Sequence, residues 1–370
     1  MVITETPNRA QILNDLVDDL RRRTLELKGV GLPLGSEHEL ARERGVSRHL
    51  VRKAVTCLIA EGIIERQAGR GLFTAAPAST ARTVQVVMGK LAWETMGWLS
   101  TGIRELAEQQ GIRIQTYDAH GCFESDLAAV KSLPESDAIG ALIVSLHNRN
   151  FSEVLFDLKR QRFPFVVVDD ILSELNVPTV CADNYAGGYL VGRELLALGH
   201  RRIGFIGDLV ARTVQNRLDG LRDALNDAGV PYDRHLTKDV NEGDNRLGDW
   251  SVEVAACAKT LLETDNRPTA IFCSCDAIAA ALYPVAKQCN LRIGADLSLV
   301  GFDDASFCQL LDPPLATVRQ PMAEVGKVAL EILLGLIRQP EVSPEARMVP
   351  VEWKPRASVG HALHSSDATR

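Results

Sequence analysis

The sequence has none of the features that mark a membrane or secreted protein. No apolar run reaches the roughly 18 residues of a membrane-spanning helix. The opening residues, MVITETPNRAQ, do not place a basic stretch before an apolar one, so no signal peptide is expected. A chain of 370 residues with 46% hydrophobic residues can bury sizeable cores, and we expect a cytoplasmic protein of two or three domains.

Signatures of metal binding, disulfides and catalysis are missing as well. The eight cysteines are scattered without a C-x-x-C pair, and the eight histidines show no metal-ligand spacing, so reduced cysteines and no metal are expected. The sequence also lacks a G-x-G-x-x-G loop, a Walker A motif and a G-x-S-x-G elbow. These absences argue against an enzyme, and no cofactor is predicted.

Charge is distributed unevenly along the chain. Residues 1–82 contain 13 Lys and Arg against 10 Asp and Glu, a net charge of +3. The remaining residues contain 28 against 38, a net charge of −10. Because proteins approach DNA through its phosphates, any affinity for DNA is predicted to reside in the N-terminal segment.

The N-terminal segment predicts two short helices joined by a tight turn. In GSEHELARERGV, Ser36 and Glu39 form a capping box and Gly45 is suited to end the helix. Ser47 can cap the next helix. That helix carries a buried stripe at helical spacing, formed by Val51, Ala54, Val55 and Leu58. A preceding helix would close a three-helix core through Ile12, Leu16, Leu20 and Leu27. This order of elements predicts a helix-turn-helix.

Basic residues flank this motif. Arg48 and Arg52 lie together off the buried stripe, near the start of the second helix. The segment EGIIERQAGRGLFT has two apolar runs around a turn with Gly69 and Gly71, which predicts a β-hairpin, or wing, with Arg70 at its tip. A solvated face would explain the arginine pair by itself, but a basic helix start followed by a basic wing tip favours DNA binding.

Residues 9–76 resemble the winged helix-turn-helix domain of GntR-type bacterial transcription regulators. The resemblance rests on GLPLGSEHELA, GVSRHLVRKA, EGII and GRG. Gly35 stands where the family usually has proline, which predicts a looser entry into the second helix, and His38 stands where an arginine commonly touches DNA. The resemblance implies contacts with double-stranded operator DNA from Ser36, His38, Ser47, Arg48, His49, Arg52, Gly69, Arg70 and Gly71.

After a small, polar, proline-bearing stretch, AAPASTAR, which predicts a linker, strands alternate with helices. Strand candidates are 84–88, 112–117, 139–144, 165–168, 203–206, 270–273 and 298–302. Amphipathic helices between them include 97–110, 185–198, 213–228, 275–289 and 321–338. The alternation predicts an α/β fold with a doubly wound parallel sheet. The alternation of strands and helices starts again at ALGHRRIGFIG, which predicts two lobes. A ligand site is then expected at the carboxyl ends of their strands.

This second region resembles the effector domain of LacI-type repressors, which is itself similar to periplasmic sugar-binding proteins. The resemblance covers about residues 84–360 and rests on DNYAGGYLVGRELLALGHRRIGFIGD, NRLDGLRDALNDAGV, TAIFCSCDAIAAALYPVAKQCNLRIGADLSLVGFDD and LATVRQPMAEVGKVALEILLGLI. A GntR-type head on a LacI-type body resembles arabinose-responsive repressors. It implies a DNA-binding transcription regulator whose operator affinity changes when a small sugar-like effector binds between the lobes.

The predicted domains are a head over 1–76, a linker over 77–83, a ligand-sensing body over 84–360 and a disordered tail over 361–370. A homodimer on a near-palindromic operator is expected, because one small winged domain buries too little surface for tight specific binding.

Two residues are implied as effector contacts. Arg217 begins an R-x-x-G motif and Asp276 lies in SCDAIA, and a guanidinium or a carboxylate can each engage two vicinal sugar hydroxyls. Capping of a helix is the alternative role for Asp276. Trp93 and Trp98, placed in the loop after the first strand, either stack on a sugar ring or pack in the core. Weaker candidates are Lys90, Asp170, Asn241 and Trp250, whereas a helix cap is expected at Asp183–Asn184 and a structural carboxylate near the hinge at Asp303.

Two other classes of protein compete with this interpretation. A nucleotide-dependent α/β enzyme would need a phosphate-binding loop, which the sequence lacks. A plain sugar-binding protein would have no use for the helix-turn-helix. Specific DNA binding at physiological salt would separate these classes from a regulator.

Overall fold

The computed structural model describes residues 9–27, 31–60, 63–67, 70–74, 82–88, 94–118, 123–144, 151–170, 172, 175–240, 251–340 and 346–362. The chain divides into two compact units, Met1–Arg82 and Thr83–Arg370. Within the described residues, every helix is too short or too polar to cross a membrane.

The first unit is a three-helix bundle with a small antiparallel sheet. Its elements are α1 (Arg9–Glu26), β1 (Pro33–Gly35), α2 (Glu37–Arg44), α3 (Arg48–Ala60), β2 (Ile64–Gln67) and β3 (Gly71–Thr74). Both β1 and β2 pair with β3, so the sheet has one more strand than the predicted hairpin. The predicted capping box at the start of α2 is present, since the Ser36 hydroxyl accepts from the Glu39 amide at 3.2 Å and the Glu39 carboxylate accepts from the Ser36 amide at 2.7 Å.

The core of this unit follows the predicted stripe of α3. Val51 and Val55 are fully buried and pack with Leu20 of α1. The prediction for Leu27 is wrong, because it follows the end of α1 and is 38% exposed. Gly35 has a φ of 95°, which a proline ring cannot adopt, so glycine permits the turn from β1 into α2 rather than loosening it.

The first lobe of the second unit is a six-stranded parallel sheet. Its strands are β4 (Thr83–Met88), β5 (Arg113–Asp118), β6 (Ala138–Val144), β7 (Phe165–Val168), β8 (Thr179–Ala182) and β14 (Ala346–Val349), in the order β14-β8-β7-β6-β4-β5. One face packs on α4 (Glu94–Gln110) and α11 (Met322–Arg338), and the other on α5 (Phe123–Ser132) and α6 (Ser152–Arg160). Alternate residues of β4 accordingly enter different cores.

The second lobe is a four-stranded parallel sheet. Its strands are β9 (Ile203–Gly207), β10 (Thr237–Asp239), β11 (Ala270–Cys273) and β12 (Ser298–Val300), in the order β10-β9-β11-β12. Helices α7 (Asn184–Ala197) and α8 (Arg212–Asp227) cover one face, and α9 (Ser251–Leu262) and α10 (Asp276–Gln288) the other. The predicted two-lobed α/β fold behind a winged helix-turn-helix is confirmed.

The described chain crosses from one lobe to the other near an antiparallel two-stranded ribbon. The ribbon pairs β13 (Thr317–Arg319) with β15 (Glu352–Lys354). Crossings occur after β8, after β13 and after β14. Of the predicted linker, residues 77–81 lie outside the described residues, as do residues 363–370 of the predicted tail. Order extends into the start of that tail, where the Ala362 amide donates to the Leu198 carbonyl at 2.9 Å.

Helices α7 and α8 approach so closely that glycine is required at their contact. A Cβ atom at Gly188 would lie 1.9 Å from the Arg217 carbonyl oxygen. We expect Gly188→Ala to lower the Tm by several degrees, because overpacking costs about 1–3 kcal/mol and each kcal/mol corresponds to about 2–4 °C. The matched control is Gly97→Ala in α4, where a Cβ atom meets nothing within 4 Å. Equal melting temperatures for the Gly188 variant and the wild type would contradict the prediction.

Candidate DNA-binding and ligand-binding sites

The start of α3 presents the two arginines that the sequence indicated. The side chains of Arg48 and Arg52 are 63% and 57% exposed, and both point toward Glu37 at the start of α2. Arg52 Nε donates to Glu37 Oε2 at 3.3 Å, and Arg48 Nε lies 3.8 Å from the same oxygen. Arg66 of β2 donates to the other carboxylate oxygen. Sequence reasoning missed Glu37 and Arg66, because they come from elements that only the fold brings together.

The remaining predicted DNA contacts are placed as follows. Ser36 and Ser47 stand at helix starts, and the Ser47 hydroxyl accepts from the Leu50 amide at 3.3 Å. His38 and His49 are exposed on α2 and α3. Arg70 lies in the turn between β2 and β3, with its guanidinium carbon 5.5 Å from the centre of the Phe73 ring. Gly71 opens β3 with a φ of 105°, and Gly69 lies outside the described residues.

In the second unit, Arg217 is the buried cation at the carboxyl ends of the strands. It is only 6% exposed, and its guanidinium carbon lies 3.8 Å from the centre of the Phe302 ring. Nε donates to Asn184 Oδ1 at 2.8 Å, and Nη1 donates to the Ser274 carbonyl. A guanidinium has five N–H groups. The others have no acceptor among the described residues, which leaves them available to a ligand.

Carboxylates from both lobes act electrostatically on this guanidinium. Asp303 follows β12 and Asp169 follows β7, and the charge of Arg217 acts on both. Burial raises the pKa of Asp303 to about 8, with a further increase from Asp276, against the opposing effects of Arg217 and of the bond that Gln320 Nε2 donates at 2.6 Å. Burial likewise raises the pKa of Asp169 to about 6.

Two acceptors in this site are left unsatisfied. Asp169 Oδ1 and Gln320 Oε1 are buried, and neither has a hydrogen-bond partner among the described residues. Buried acceptors without a partner are rare in folded proteins, so these two atoms are candidate acceptors for a ligand. Asp303 also has a φ of 131°, a strained conformation of the kind that clusters at functional sites.

Asp276, an expected ligand contact, has hydrogen-bond partners within the protein. It is 1% exposed at the start of α10, where Oδ1 accepts from the Thr317 hydroxyl at 2.6 Å and Oδ2 from the Ala305 amide at 2.8 Å. Each oxygen thus already accepts one hydrogen bond from the protein, neither of which caps α10, and a ligand contact by Asp276 stays a prediction. Asp303, expected to be structural, is instead the carboxylate whose charge acts most strongly on Arg217.

The structure describes only some of the other residues that the sequence suggested as ligand contacts. Trp98 lies in α4 rather than in a loop and packs half-buried against the core of the first lobe, which corrects its predicted position. Asp170 is partly buried beside Asp169. The helix cap at Asp183 is confirmed, since its carboxylate accepts from the Ala186 amide at 2.9 Å. Outside the described residues lie Lys90, Trp93, Asn241 and Trp250.

Contacts also tie the site to the boundary between the lobes. Glu94 of the first lobe accepts from the Ser306 amide of the second at 2.9 Å. Asp304, next to Asp303, accepts from Arg319 Nε at 2.7 Å and also pairs with Arg356. Because Arg319 lies in the ribbon and Gln320 directly after it, the segment that follows β12 connects the site to a crossing between the lobes.

The raised pKa of Asp303 predicts a pH dependence of stability. Between about pH 4 and pH 8 the folded chain keeps a proton at Asp303 that the unfolded chain has lost, so stability falls as the pH rises through this range. We expect Asp303→Asn to flatten this slope and to raise the Tm at pH 8. Thermal unfolding over a pH series tests this, with Asp157→Asn, an exposed carboxylate of α6, as the control. Parallel pH profiles for the wild type and Asp303→Asn would contradict it.

Comparisons with known proteins agree with the two-part fold. Residues 8–74 match the bacterial regulatory proteins of the gntR family, and residues 193–359 match the periplasmic binding protein-like domain. The chain is 27% identical over 331 residues to the arabinose metabolism transcriptional repressor of Halalkalibacterium halodurans, covering 85% of this chain and 86% of that one. It is 39% identical over 178 residues to the ribose operon repressor of Haemophilus influenzae, a match that spans 48% of this chain and 52% of that repressor.

A solved structure gives the same result for the fold. The LacI family transcriptional regulator of Enterococcus faecium with bound ribose aligns with a TM-score of 0.64 and 26% identity, over 76% of this chain and 100% of that chain. The motifs of both regions, the fold and these relatives all indicate the same two-part domain organisation. The chain therefore carries a GntR-type helix-turn-helix domain followed by a periplasmic-binding-protein-like domain, and the proteins to which it is similar are transcriptional repressors and a LacI family regulator.

Proposed function

We propose that this regulator is a repressor that binds operator DNA through its first unit and responds to a small neutral sugar bound between the lobes of its second unit. The observation that carries the proposal is the presence in one chain of an exposed arginine cluster on a helix-turn-helix and of Arg217 with unsatisfied buried acceptors between two lobes. A plain sugar-binding protein accounts for only the second of these, and an enzyme for neither.

The chemistry of the site supports a neutral polyhydroxylated ligand. Arg217 offers N–H donors, whereas Asp169 and Gln320 offer acceptors without partners. A sugar hydroxyl can accept from the first and donate to the second at once. An anionic ligand such as a sugar phosphate would meet Asp169, whose pKa of about 6 leaves it mostly ionised at neutral pH, so that it repels negative charge. We therefore assign the ligand contacts to Arg217, Asp303 and Asp169, and a structural role to Asp276.

Among neutral sugars, an aldopentose is the first candidate. A relative is described as a ribose operon repressor, a structural neighbour holds ribose, and a further relative is an arabinose metabolism repressor. The proposal extends to a cytoplasmic homodimer without enzymatic activity, with a head over 1–76, a linker over 77–83 and a body over 84–360. The gntR match at 8–74 and the division between Arg82 and Thr83 support these boundaries.

The proposed response works through the lobes. A sugar that contacts Asp169 of the first lobe and Arg217 of the second stabilises the arrangement in which the lobes are close. In a homodimer, a change in the angle between the lobes would alter the spacing of the two DNA-binding heads. The sugar can shift operator affinity only by its differential affinity for the two arrangements, typically about 1–3 kcal/mol.

Linkage gives a direct test of this proposal. Operator affinity is measured with and without ribose or arabinose, and sugar affinity with and without operator duplex. We expect each ligand to change the affinity of the other by the same factor, and we expect the sugar to weaken DNA binding. Tight sugar binding that is indifferent to operator would refute the mechanism, and sedimentation of one monomer per operator would refute the dimer.

A further inference from the structure

We infer that Arg66 of the wing strand β2 is a third cation that contacts operator DNA, and that Glu37 positions it beside Arg48 and Arg52. This inference rests on the proposed DNA-binding function and adds to it a residue outside the recognition helix α3.

Strand alternation explains how Arg66 reaches that position. Residues two apart in a strand share a face, so Arg66 lies on the same face of β2 as Ile64, which is buried against the helices. Arg66 is two residues beyond Ile64, so its side chain extends past the core to the start of α2. There Nη2 donates to Glu37 Oε1. Its side chain nevertheless remains 52% exposed.

The charge of the cluster points to an external anion. The Glu37 side chain is 11% exposed and is approached by the guanidinium groups of Arg48, Arg52 and Arg66. One carboxylate neutralises one of these three cations, so a local excess of positive charge remains on a chain whose net charge is −7. Neighbouring guanidinium groups repel one another, and bidentate contacts with phosphate oxygens or base edges would relieve that repulsion.

A purely structural role for Arg66 makes a different prediction. If Arg66 only ties the wing to α2, its removal should lower stability and leave the salt dependence of DNA binding unchanged. If it contacts DNA, its removal should also reduce the number of phosphates neutralised, which sets the slope of log affinity against log salt concentration.

The experiment uses the full chain and a duplex selected by it from a random-sequence pool, with fluorescence anisotropy at several salt concentrations. We expect Arg66→Ala to lower affinity on the order of ten-fold and to reduce the salt slope by about one. Arg66→Gln, which keeps a donor for Glu37 without the charge, covers the case in which alanine destabilises the wing. Arg23→Ala removes a charge of the same unit that is paired with the exposed Glu43, and should change affinity little.

Glu37→Gln tests the positioning role separately. Loss of its charge should leave binding to an unrelated duplex unchanged or stronger, while the ratio of selected to unrelated affinity falls, because the three arginines are no longer held together. If Arg66→Ala and Arg66→Gln behave like Arg23→Ala while Arg48→Ala loses affinity, the inference is wrong and the proposed function stands. A wild-type chain that prefers no duplex would overturn the proposed function and this inference with it.

Discussion

Arg217→Ala is expected to lose sugar binding by at least about 100-fold. A hydrogen bond to a charged group contributes about 1.5–3 kcal/mol, and the guanidinium offers a ligand more than one N–H group beyond those that bind Asn184 and Ser274. The substitution also leaves Asp169 and Asp303 without the cation that offsets their burial. The regulator should then bind operator DNA with near-normal affinity but no longer respond to sugar, because the DNA-binding residues lie in a separate compact unit.

Calorimetry with ribose and arabinose measures the loss, and circular dichroism checks the fold. Arg217→Lys should recover little affinity, because lysine keeps the charge but not the planar fork of donors. Arg222→Ala is the matched control on the same helix, since that guanidinium lies 4.7 Å from the centre of the Tyr232 ring and outside the site. Normal sugar affinity in a folded Arg217→Ala chain would show that the ligand site is assigned wrongly.

The double variant Arg48→Ala/Arg52→Ala is expected to abolish specific DNA binding while sugar binding is retained. Each arginine is expected to contribute about 1–3 kcal/mol to operator affinity, and a loss of 1.4 kcal/mol corresponds to about ten-fold. The two losses need not add, since both side chains approach the same carboxylate of Glu37.

Fluorescence anisotropy with a selected duplex measures the affinity, and the two single variants complete a double-mutant cycle. The salt slope should become shallower if phosphate contacts are lost. Arg23→Ala serves again as the control for removal of one charge from the same unit. Unchanged affinity and an unchanged slope in the double variant would mean that α3 is not the recognition helix.

The sequence alone determined the elements with strong periodic or capping signals. The capping box of Ser36 and Glu39 and the stripe of Val51 and Val55 were predictable, because they depend on residues three to seven positions apart. The alternation of strands and helices was sufficient for the two-lobed α/β fold. Short strands such as β1, β8 and β13 were missed because, unlike β7 and β11, they lack a run of large apolar residues.

The composition of the sites was decided by tertiary structure. The R-x-x-G motif indicated Arg217 as a ligand contact, and the sequence placed the partner carboxylate at Asp276, whereas we propose Asp303. Both residues follow strands of one sheet, and only the fold shows that Thr317 and Ala305 donate to the oxygens of Asp276 while the charge of Asp303 acts on the guanidinium. A hydrogen bond between residues far apart along the chain leaves no local pattern in the sequence.

The same reason applies to the head. Arg48 and Arg52 were identifiable from their i, i+4 spacing on one helix. Glu37 and Arg66 are 29 positions apart and meet only because β2 folds back against the start of α2. Local patterns therefore determined which elements form and which of their faces are buried. The packing of those elements decided which side chains share a site and which are already occupied.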